Sequence, residues 1–420
     1  MSKWPIVTMD EVADFITKGT TPTTLGFEFQ KSGINFIKIE SITTDGRFLM
    51  HKMAHIDEAC DLALSRSRLQ EGDILFSIAG ALGRSAIVTP AILPANINQA
   101  LAIIRLKPRV DVFPLFVLKA LSIELVASQI EENRGGAAQE NLSLAQIKRF
   151  KIPLPPLPEQ QRIVAILDEA FAGIAKATAN AERNIENAED LVEAQREGLI
   201  SAAVPEAEKF TLQELLERAW IVGHLDGNHG ADYPRKEEFV GSGVAYISAN
   251  ALSGDAVDFG RAKFLTTDRA ARIRKGVARH GDVLFAHNAT VGPVAVLSTD
   301  LDRVILGTSL TYYRCDQQHI LPAYLAHFMR SARFRQQYEA VMRQSTRNQV
   351  PITKQREFFH LIPPLAVQES IAGTLDEYEM QAAALRAVYR QKLAALSELR
   401  ASLLHRAFSG QLTDASAVAA

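Results

Sequence analysis

The sequence predicts an α+β chain in which one plan is written twice: two similar mixed α/β domains, each followed by a long coiled-coil helix. Three observations predict it. Blocks of sequence recur in order at an offset of about 208 residues. Within each half, short apolar runs bounded by Gly, Pro and Asn alternate with short amphipathic segments. A proline-rich stretch in each half then gives way to a sustained seven-residue apolar repeat.

The repeat is plain once the halves are laid together. Glu71-Gly-Asp-Ile-Leu-Phe-Ser through Val88 aligns without a gap on His280-Gly-Asp-Val-Leu-Phe-Ala through Leu297. Gly72/Gly281, Asp73/Asp282, Leu75/Leu284, Phe76/Phe285, Gly83/Gly292 and Ala86/Ala295 are identical. Earlier, Ser32-Gly33-Ile34 matches Ser242-Gly243-Val244. Later, Pro155-Pro156-Leu157-Pro-Glu-Gln160 through Glu169 lies over Pro363-Pro364-Leu365-Ala-Val-Gln368 through Glu377, with 8 of 15 positions identical. Three blocks in one order at nearly one offset are the trace of a duplication. The domains follow: residues 1–156, a first helix over 157–207, a second domain over 208–362, and a second helix with its tail over 363–420.

In each domain the runs Ile34–Ile39, Asp73–Ile78 and Leu101–Leu106 and their counterparts read as strands, and Phe113–Glu131 as an amphipathic helix. The stop Ile152-Pro-Leu-Pro-Pro-Leu-Pro158 then launches a helix, because proline lacks an N–H that would be unpaired in the first turn anyway. The first long helix is expected over about Glu159–Ala203. Its seam is Val164, Phe171, Thr178, Ile185, Val192 and Leu199, with Leu167, Ile174, Ala181, Ala188 and Gln195. In the second helix the sets are Leu375, Ala382, Tyr389, Leu396 and Leu403, with Tyr378, Leu385, Lys392 and Leu399. About 44 residues at 1.5 Å each make a rod of about 65 Å. A pseudo-twofold relation between the halves makes the two helices antiparallel.

Composition removes several function classes. No apolar run is long enough for a membrane span, and the first residues lack a signal-peptide core, so a cytoplasmic setting is expected. Cys60 and Cys315 are the only cysteines and form no C-x-x-C pair. The ten histidines show no zinc spacing. The net charge of −2 hides a contrast. Residues 208–356 carry 20 Lys/Arg against 15 Asp/Glu, residues 157–207 carry 4 against 10, and residues 1–156 carry 17 against 16. There is no phosphate-binding loop, no Asn-Pro-Pro-aromatic motif, no G-x-S-x-G elbow, and Gly241-Ser-Gly243 does not continue into a dinucleotide fingerprint. Asp73 and Asp282 read as turn-capping residues rather than catalytic carboxylates.

The repeat, the Pro-Pro-Leu-x-x-Gln launch, the following Leu-Asp-Glu and the ending Leu404-His-Arg-Ala-Phe-Ser-Gly-Gln-Leu412 resemble the specificity subunits of type I restriction-modification systems. The first helix departs from the pattern, ending Leu199-Ile-Ser-Ala-Ala-Val-Pro205 without Phe-x-Gly. The resemblance implies a chain with no catalysis of its own that binds double-stranded DNA, each domain reading one half of an asymmetric bipartite site. The helices would set the gap and dock two methyltransferase subunits, with restriction/motor subunits joining for cleavage. It also implies that S-adenosylmethionine, ATP and magnesium belong to those partners. A self-contained methyltransferase or nuclease, or a coiled-coil scaffold, are the competing readings; the first would need a cofactor pocket that no motif announces.

On that resemblance, loops between the matched blocks are the candidate DNA contacts. In the first domain they carry Lys18, Thr20, Thr21, Thr23, Lys38, Arg47, the loop Ser77–Arg84, and Arg134. In the second, the polar, Gly-rich loop from Asp226 supplies Asn228, His229, Tyr233, Arg235 and Lys236, where the first domain has Gly-Thr-Thr-Pro. His287, Asn288 and Thr290 occupy the turn equivalent to Ile78–Ala81. Arg343 and Arg347 are candidates for phosphate.

Overall fold

The computed structural model describes residues 4–43, 45–108, 111–121, 126, 128–129, 141–227, 233–344 and 348–413. The chain divides into two units: Met1–Ala181 with Arg390–Ala420, and Glu182–Tyr389. The predicted α+β class is what the chain adopts, and each unit holds one copy of the plan.

In the first unit an antiparallel four-stranded sheet runs in the order Ala13–Lys18, Leu101–Leu106, Ile74–Ser77, Ser85–Ile87. Alternate residues of its strands enter two different cores. Ile74, Phe76, Ala102 and Ile104 pack with Phe116, Phe150 and the helix residues Ile163, Val164 and Leu167. Leu75, Leu101 and Ile103 pack with Ile37, Ile42 and Ile97. Both faces are covered, which is why these strands read as unbroken apolar runs rather than as alternation. A second sheet joins Ala54–Ile56, Ile34–Ile37 and Ala95–Ile97, the last pair parallel. Ile6–Thr8 pairs with Lys151–Pro153 just before the long helix.

The second unit repeats this. Its four-stranded sheet runs Ile221–Asp226, Leu310–Cys315, Val283–Asn288, Thr290–Val296. A five-stranded sheet is built around Val244–Ile247 and Val304–Leu306. Glu208–Thr211 pairs with Phe359–Ile362 before the second long helix. The duplicated Gly-Asp turns are the same turn twice. Asp73 accepts from the Gln70 amide at 2.8 Å and takes both prongs of Arg105 at 2.7 Å. Asp282 accepts from the Arg279 amide at 2.8 Å and takes Arg314 at 2.8 and 2.7 Å. Both carboxylates are buried and fully engaged, so they hold the turn.

The helices span Leu157–Ala203 and Leu365–Ser409. The first starts two residues earlier than expected, directly after Pro155-Pro156. The amphipathic helix expected over Phe113–Glu131 is described at Pro114–Ala120. The two long helices end differently, as their sequences do. The second stops at Gly410, whose φ of 88° is the left-handed end that glycine permits. The first runs into a short 3-10 turn, Val204–Glu206.

Within each unit the helix segments pair antiparallel. In the first unit the Arg400 guanidinium lies 4.2 Å from the Phe171 ring centre, Phe408 packs on Phe116, and the Thr413 hydroxyl meets Glu159. In the second, Arg196 meets Glu379 at 2.7 Å and Arg386 approaches Glu189 at 3.9 Å. Both predicted stripes of the first helix are at least half-buried. The second helix corrects its prediction: Leu375, Ala382, Tyr389, Leu396 and Leu403 face the seam, but Leu385, Lys392 and Leu399 are exposed. Arg386 and Leu393 are half-buried instead. A helix of 3.6 residues per turn drifts about 20° per heptad, which carries the second stripe off a two-helix seam.

One residue fixes each helix start. Gln160 is fully buried. Its side-chain oxygen accepts from the Phe113 amide at 2.8 Å, and its nitrogen donates to the carbonyls of Asp111 (2.8 Å) and Pro155 (2.7 Å). Gln368 repeats every bond: it accepts from Leu321 at 2.9 Å and donates to His319 (2.9 Å) and Pro363 (2.8 Å). Replacing either by Ala strands one donor and weakens two acceptors in the interior, at about 1–3 kcal/mol for each group left unmet. Q160A is expected to lower the urea midpoint of the first unit and Q368A that of the second, read separately by hydrogen exchange. Equal loss in both units from either variant would be the contrary result.

Candidate nucleic-acid interface

The candidate loops of each unit meet at one end of its four-stranded sheet. In the first unit Lys18 pairs with Ala102, Ser77 with Leu101, and the Ile78 amide bonds to the Ala100 carbonyl. The loop after Lys18, the loop Ser77–Arg84 and the turn Asn98–Ala100 therefore leave the sheet side by side. The Thr21 hydroxyl bonds to the Gln99 side chain and closes the group. In the second unit Asp226 pairs with Thr311, Ala286 with Leu310, and the His287 amide bonds to the Ser309 carbonyl. The same three chain segments converge.

Glycine makes this convergence feasible. A Cβ on Gly19 would sit 2.0 Å from the Ile97 carbonyl oxygen, and one on Gly227 2.0 Å from that of Gly307. These glycines stand 208 residues apart and open the two loops that the sequence had equated. Only a residue without a side chain allows so close a backbone approach.

The individual candidates divide by exposure. Lys18 and Thr23 are exposed, while Thr20 and Thr21 are half-buried. Lys38 is half-buried with its ammonium 4.4 Å from the Phe29 ring centre. Arg47 is exposed and paired with Asp45 at 2.7 Å. Its hairpin lies against the strand after the Ser77–Arg84 loop, since a Cβ on Gly46 would meet the Ser85 carbonyl oxygen at 2.7 Å. Tyr233, Arg235, Lys236, Thr290 and Arg343 are exposed, and Asn288 is half-buried beside Ala289, whose φ is 64°. Arg343 lies 3.5 Å from Glu339.

Three candidates shape loops instead of facing outward. Ser77 is buried, donates to the Ala81 carbonyl and accepts from the Arg84 amide. Arg84 reaches the carbonyls of Ile39 (3.2 Å) and Ile42 (2.7 Å). His287 is buried with Nδ1 3.0 Å from the Val350 carbonyl oxygen. Sequence spacing placed them in the right turns, but a strand's last inward residue goes to the interior. Arg134, Asn228, His229 and Arg347 lie outside the described residues.

Behind the second unit's loops is a buried polar cluster. Gln355 donates to the Thr311 hydroxyl and the Val350 carbonyl, so its oxygen is left to accept from Tyr313 (3.0 Å) and His224 Nε2 (3.1 Å). Burial pushes His224 down to about 4, and also His360, which packs among Tyr313, Phe328 and Phe334. His327, against Asp376 at 2.8 Å, is likewise held at about 4 by burial. Among the described residues no three His, Cys, Asp or Glu side chains gather where they could hold a metal ion. No helix there is long and apolar enough to cross a membrane.

The basic run Arg272-Ile-Arg274-Lys275-Gly276 was missed by the sequence reading. It lies between two matched blocks and reads as ordinary surface charge until its neighbours in space are known.

Each unit thus joins a mixed α/β domain, whose candidate loops gather at one sheet end, to long-helix segments. Residues 1–187 match the family described as the type I restriction modification DNA specificity domain. The chain is similar to the type I restriction enzyme EcoBI specificity subunit of Escherichia coli, 32% identical over 161 residues. That match takes in 37% of this chain and 33% of that protein, so it spans about a third of the relative's length. The fold as a whole is like that of a chain from a type I R-M system whose complex assembly and conformational transition have been described structurally. The TM-score is 0.76 at 21% identity, over 97% of this chain and 98% of the other. The HsdS subunit of Thermoanaerobacter tengcongensis aligns with a TM-score of 0.54 at 21% identity, over 97% of each chain.

Two outcomes follow for this end of the molecule. G227A forces two backbones apart and is expected to cost the second unit about 1–3 kcal/mol, with G19A doing the same to the first; thermal melting monitored unit by unit checks it. The second concerns acid. His224, His327 and His360 titrate near 4 when folded and near 6.5 when unfolded. Their neutral forms support the fold above pH 6.5, and that support drains away as the pH falls towards 4. Each contributes up to about 1.4 kcal/mol per pH unit in that window. Chemical denaturation from pH 7 to 4.5 should show the second unit weakening more steeply, and H224Q flattening the slope by about one proton.

Proposed function

We propose that this chain is the sequence-reading subunit of a type I restriction-modification complex. Each unit reads one half of a bipartite DNA site through the loops at the end of its four-stranded sheet. The observation that carries the reading is the duplicated convergence: the same three segments meet through Gly19 and Gly227, yet Lys18-Gly-Thr-Thr-Pro stands in one unit and the polar loop from Asp226 in the other. Equal frames with unlike loops suit a site whose halves differ in sequence. The family match over residues 1–187 supports DNA as the ligand.

The rest of the proposal concerns partners. The long helices set the gap between half-sites and offer similar surfaces to two methyltransferase subunits, and restriction/motor subunits join that assembly. S-adenosylmethionine would be bound by the methyltransferase subunits, and ATP with magnesium by the motor subunits. This chain supplies recognition and leaves the chemistry to them.

Exchanging residues 208–356 for the corresponding segment of another specificity subunit tests the reading. Methylation mapping of DNA from cells carrying the whole system should show one half-site replaced and the other kept. Both halves changing, or neither, would overturn modular recognition. Methylation by the purified chain alone would instead make it an enzyme.

A further inference from the structure

The second unit carries a short basic turn, Arg274-Lys275-Gly276, between the helix Thr267–Arg272 and the strand Val277–Ala278. Three contacts fasten it. The Arg303 guanidinium donates to the Ile273 carbonyl at 3.0 Å, and the Leu306 amide donates to the Gly276 carbonyl at 2.7 Å. Gly276 has a φ of 60°, and a Cβ there would stand 2.7 Å from the Gly227 Cα and 3.0 Å from the Asp226 carbonyl oxygen. The turn is thus wedged against the first two residues of the candidate reading loop.

Three arginines around it are paired with carboxylates: Arg269 with Glu238, Arg261 with Asp258 at 3.2 Å, and Arg314 with Asp282 at 2.7 Å. Arg272, which ends the preceding helix, is exposed. Arg274 is exposed and its side chain has no hydrogen-bond or ion-pair partner among the described residues. Lys275 beside it is exposed too. An exposed, uncompensated guanidinium on a turn fixed at both ends is suited to an anion presented from outside, and it loses little conformational freedom on binding one.

We infer that Arg274 grips the phosphodiester backbone of double-stranded DNA beside the half-site read by the second unit, and so positions the loop beginning at Asp226 over the bases. The inference rests on the DNA-reading role proposed above. Phosphate is favoured over an acidic protein segment because the turn is locked to the loop assigned to DNA. The contact is one of position, without sequence information of its own.

The test uses the complete methyltransferase complex and duplexes carrying the cognate site or one altered in the second half-site, with affinity measured across a salt series. Losing one phosphate contact gives up about 0.9 of salt slope. R274A should therefore flatten the log–log slope by about 0.9, and weaken both duplexes by the same factor so that their ratio holds. R274K keeps the charge and should keep the slope. The Arg274 side chain is exposed, so melting of the second unit is expected to stay unchanged, and this separates lost contact from lost fold. An unaltered slope, a loss confined to the cognate duplex, or a defect in assembly with methyltransferase rather than in DNA affinity would each overturn the inference. A wild-type complex that fails to bind duplex DNA would overturn the parent reading, and this one with it.

Discussion

Gln160 and Gln368 are buried side chains with three hydrogen bonds apiece, and the direction of each long helix depends on them. The first turn of a helix has unpaired amides and, after prolines, few of its own bonds to fix it. A glutamine six residues into the launch solves this by bonding to backbone that belongs to the domain: the amide before a short helix, the carbonyl two residues earlier, and the proline carbonyl ahead of the long helix. The partners are backbone atoms, so the clamp survives sequence change around it. The two domains diverge widely while Pro-Pro-Leu-x-x-Gln stays the same.

That difference explains what was legible in the sequence. The repeat, the sheets and the long helices rest on period, proline and glycine, all of which leave local marks. Gly19 and Gly227 could be equated by position because backbone crowding admits only glycine there. The turn role of Asp73 and Asp282 was legible, but the Arg105 and Arg314 partners were not, since they lie 32 residues away on neighbouring strands. Side-chain direction at strand ends was equally hidden. Ser77 and His287 fell in the right turns, yet each is the inward residue of its strand and spends its polar atoms on loop geometry.

The second helix shows the limit of reading a heptad by counting. Leu385 and Leu399 fit the written repeat but stand exposed, because a two-helix seam covers a narrow stripe and an uncoiled helix rotates away from it. The basic turn at Arg274 and Lys275 was hidden for a different reason. Its meaning comes from Gly276 touching Gly227, two residues 49 apart in sequence. Sequence proximity ties the turn to the helix before it; packing ties it to the loop.

The junctions between domain and helix show how a duplicated frame can carry unlike chemistry. Asp168 and Asp376 stand 208 residues apart; the first pairs with Lys119 and the second with buried His327. One turn on, Phe171 and Glu379 are equivalent, and in each unit an arginine from the other long helix reaches that place. Arg400 lies over the Phe171 ring; Arg196 meets the Glu379 carboxylate, which Arg330 also approaches at 3.2 Å. Burial raises the Glu379 pKa, and the Arg330 and Arg196 guanidiniums oppose that shift. A buried ionic cluster gives little net stability against an apolar packing of the same volume, but removing one member is costly. The two junctions are therefore not interchangeable. A phenylalanine in place of Glu379 would take from Arg196 and Arg330 the carboxylate they share, and a glutamate in place of Phe171 would enter an apolar cluster beside Arg400 and Lys119. Geometry is shared between the halves through the glutamine clamps, while the chemistry of each junction ties a helix segment to its own domain.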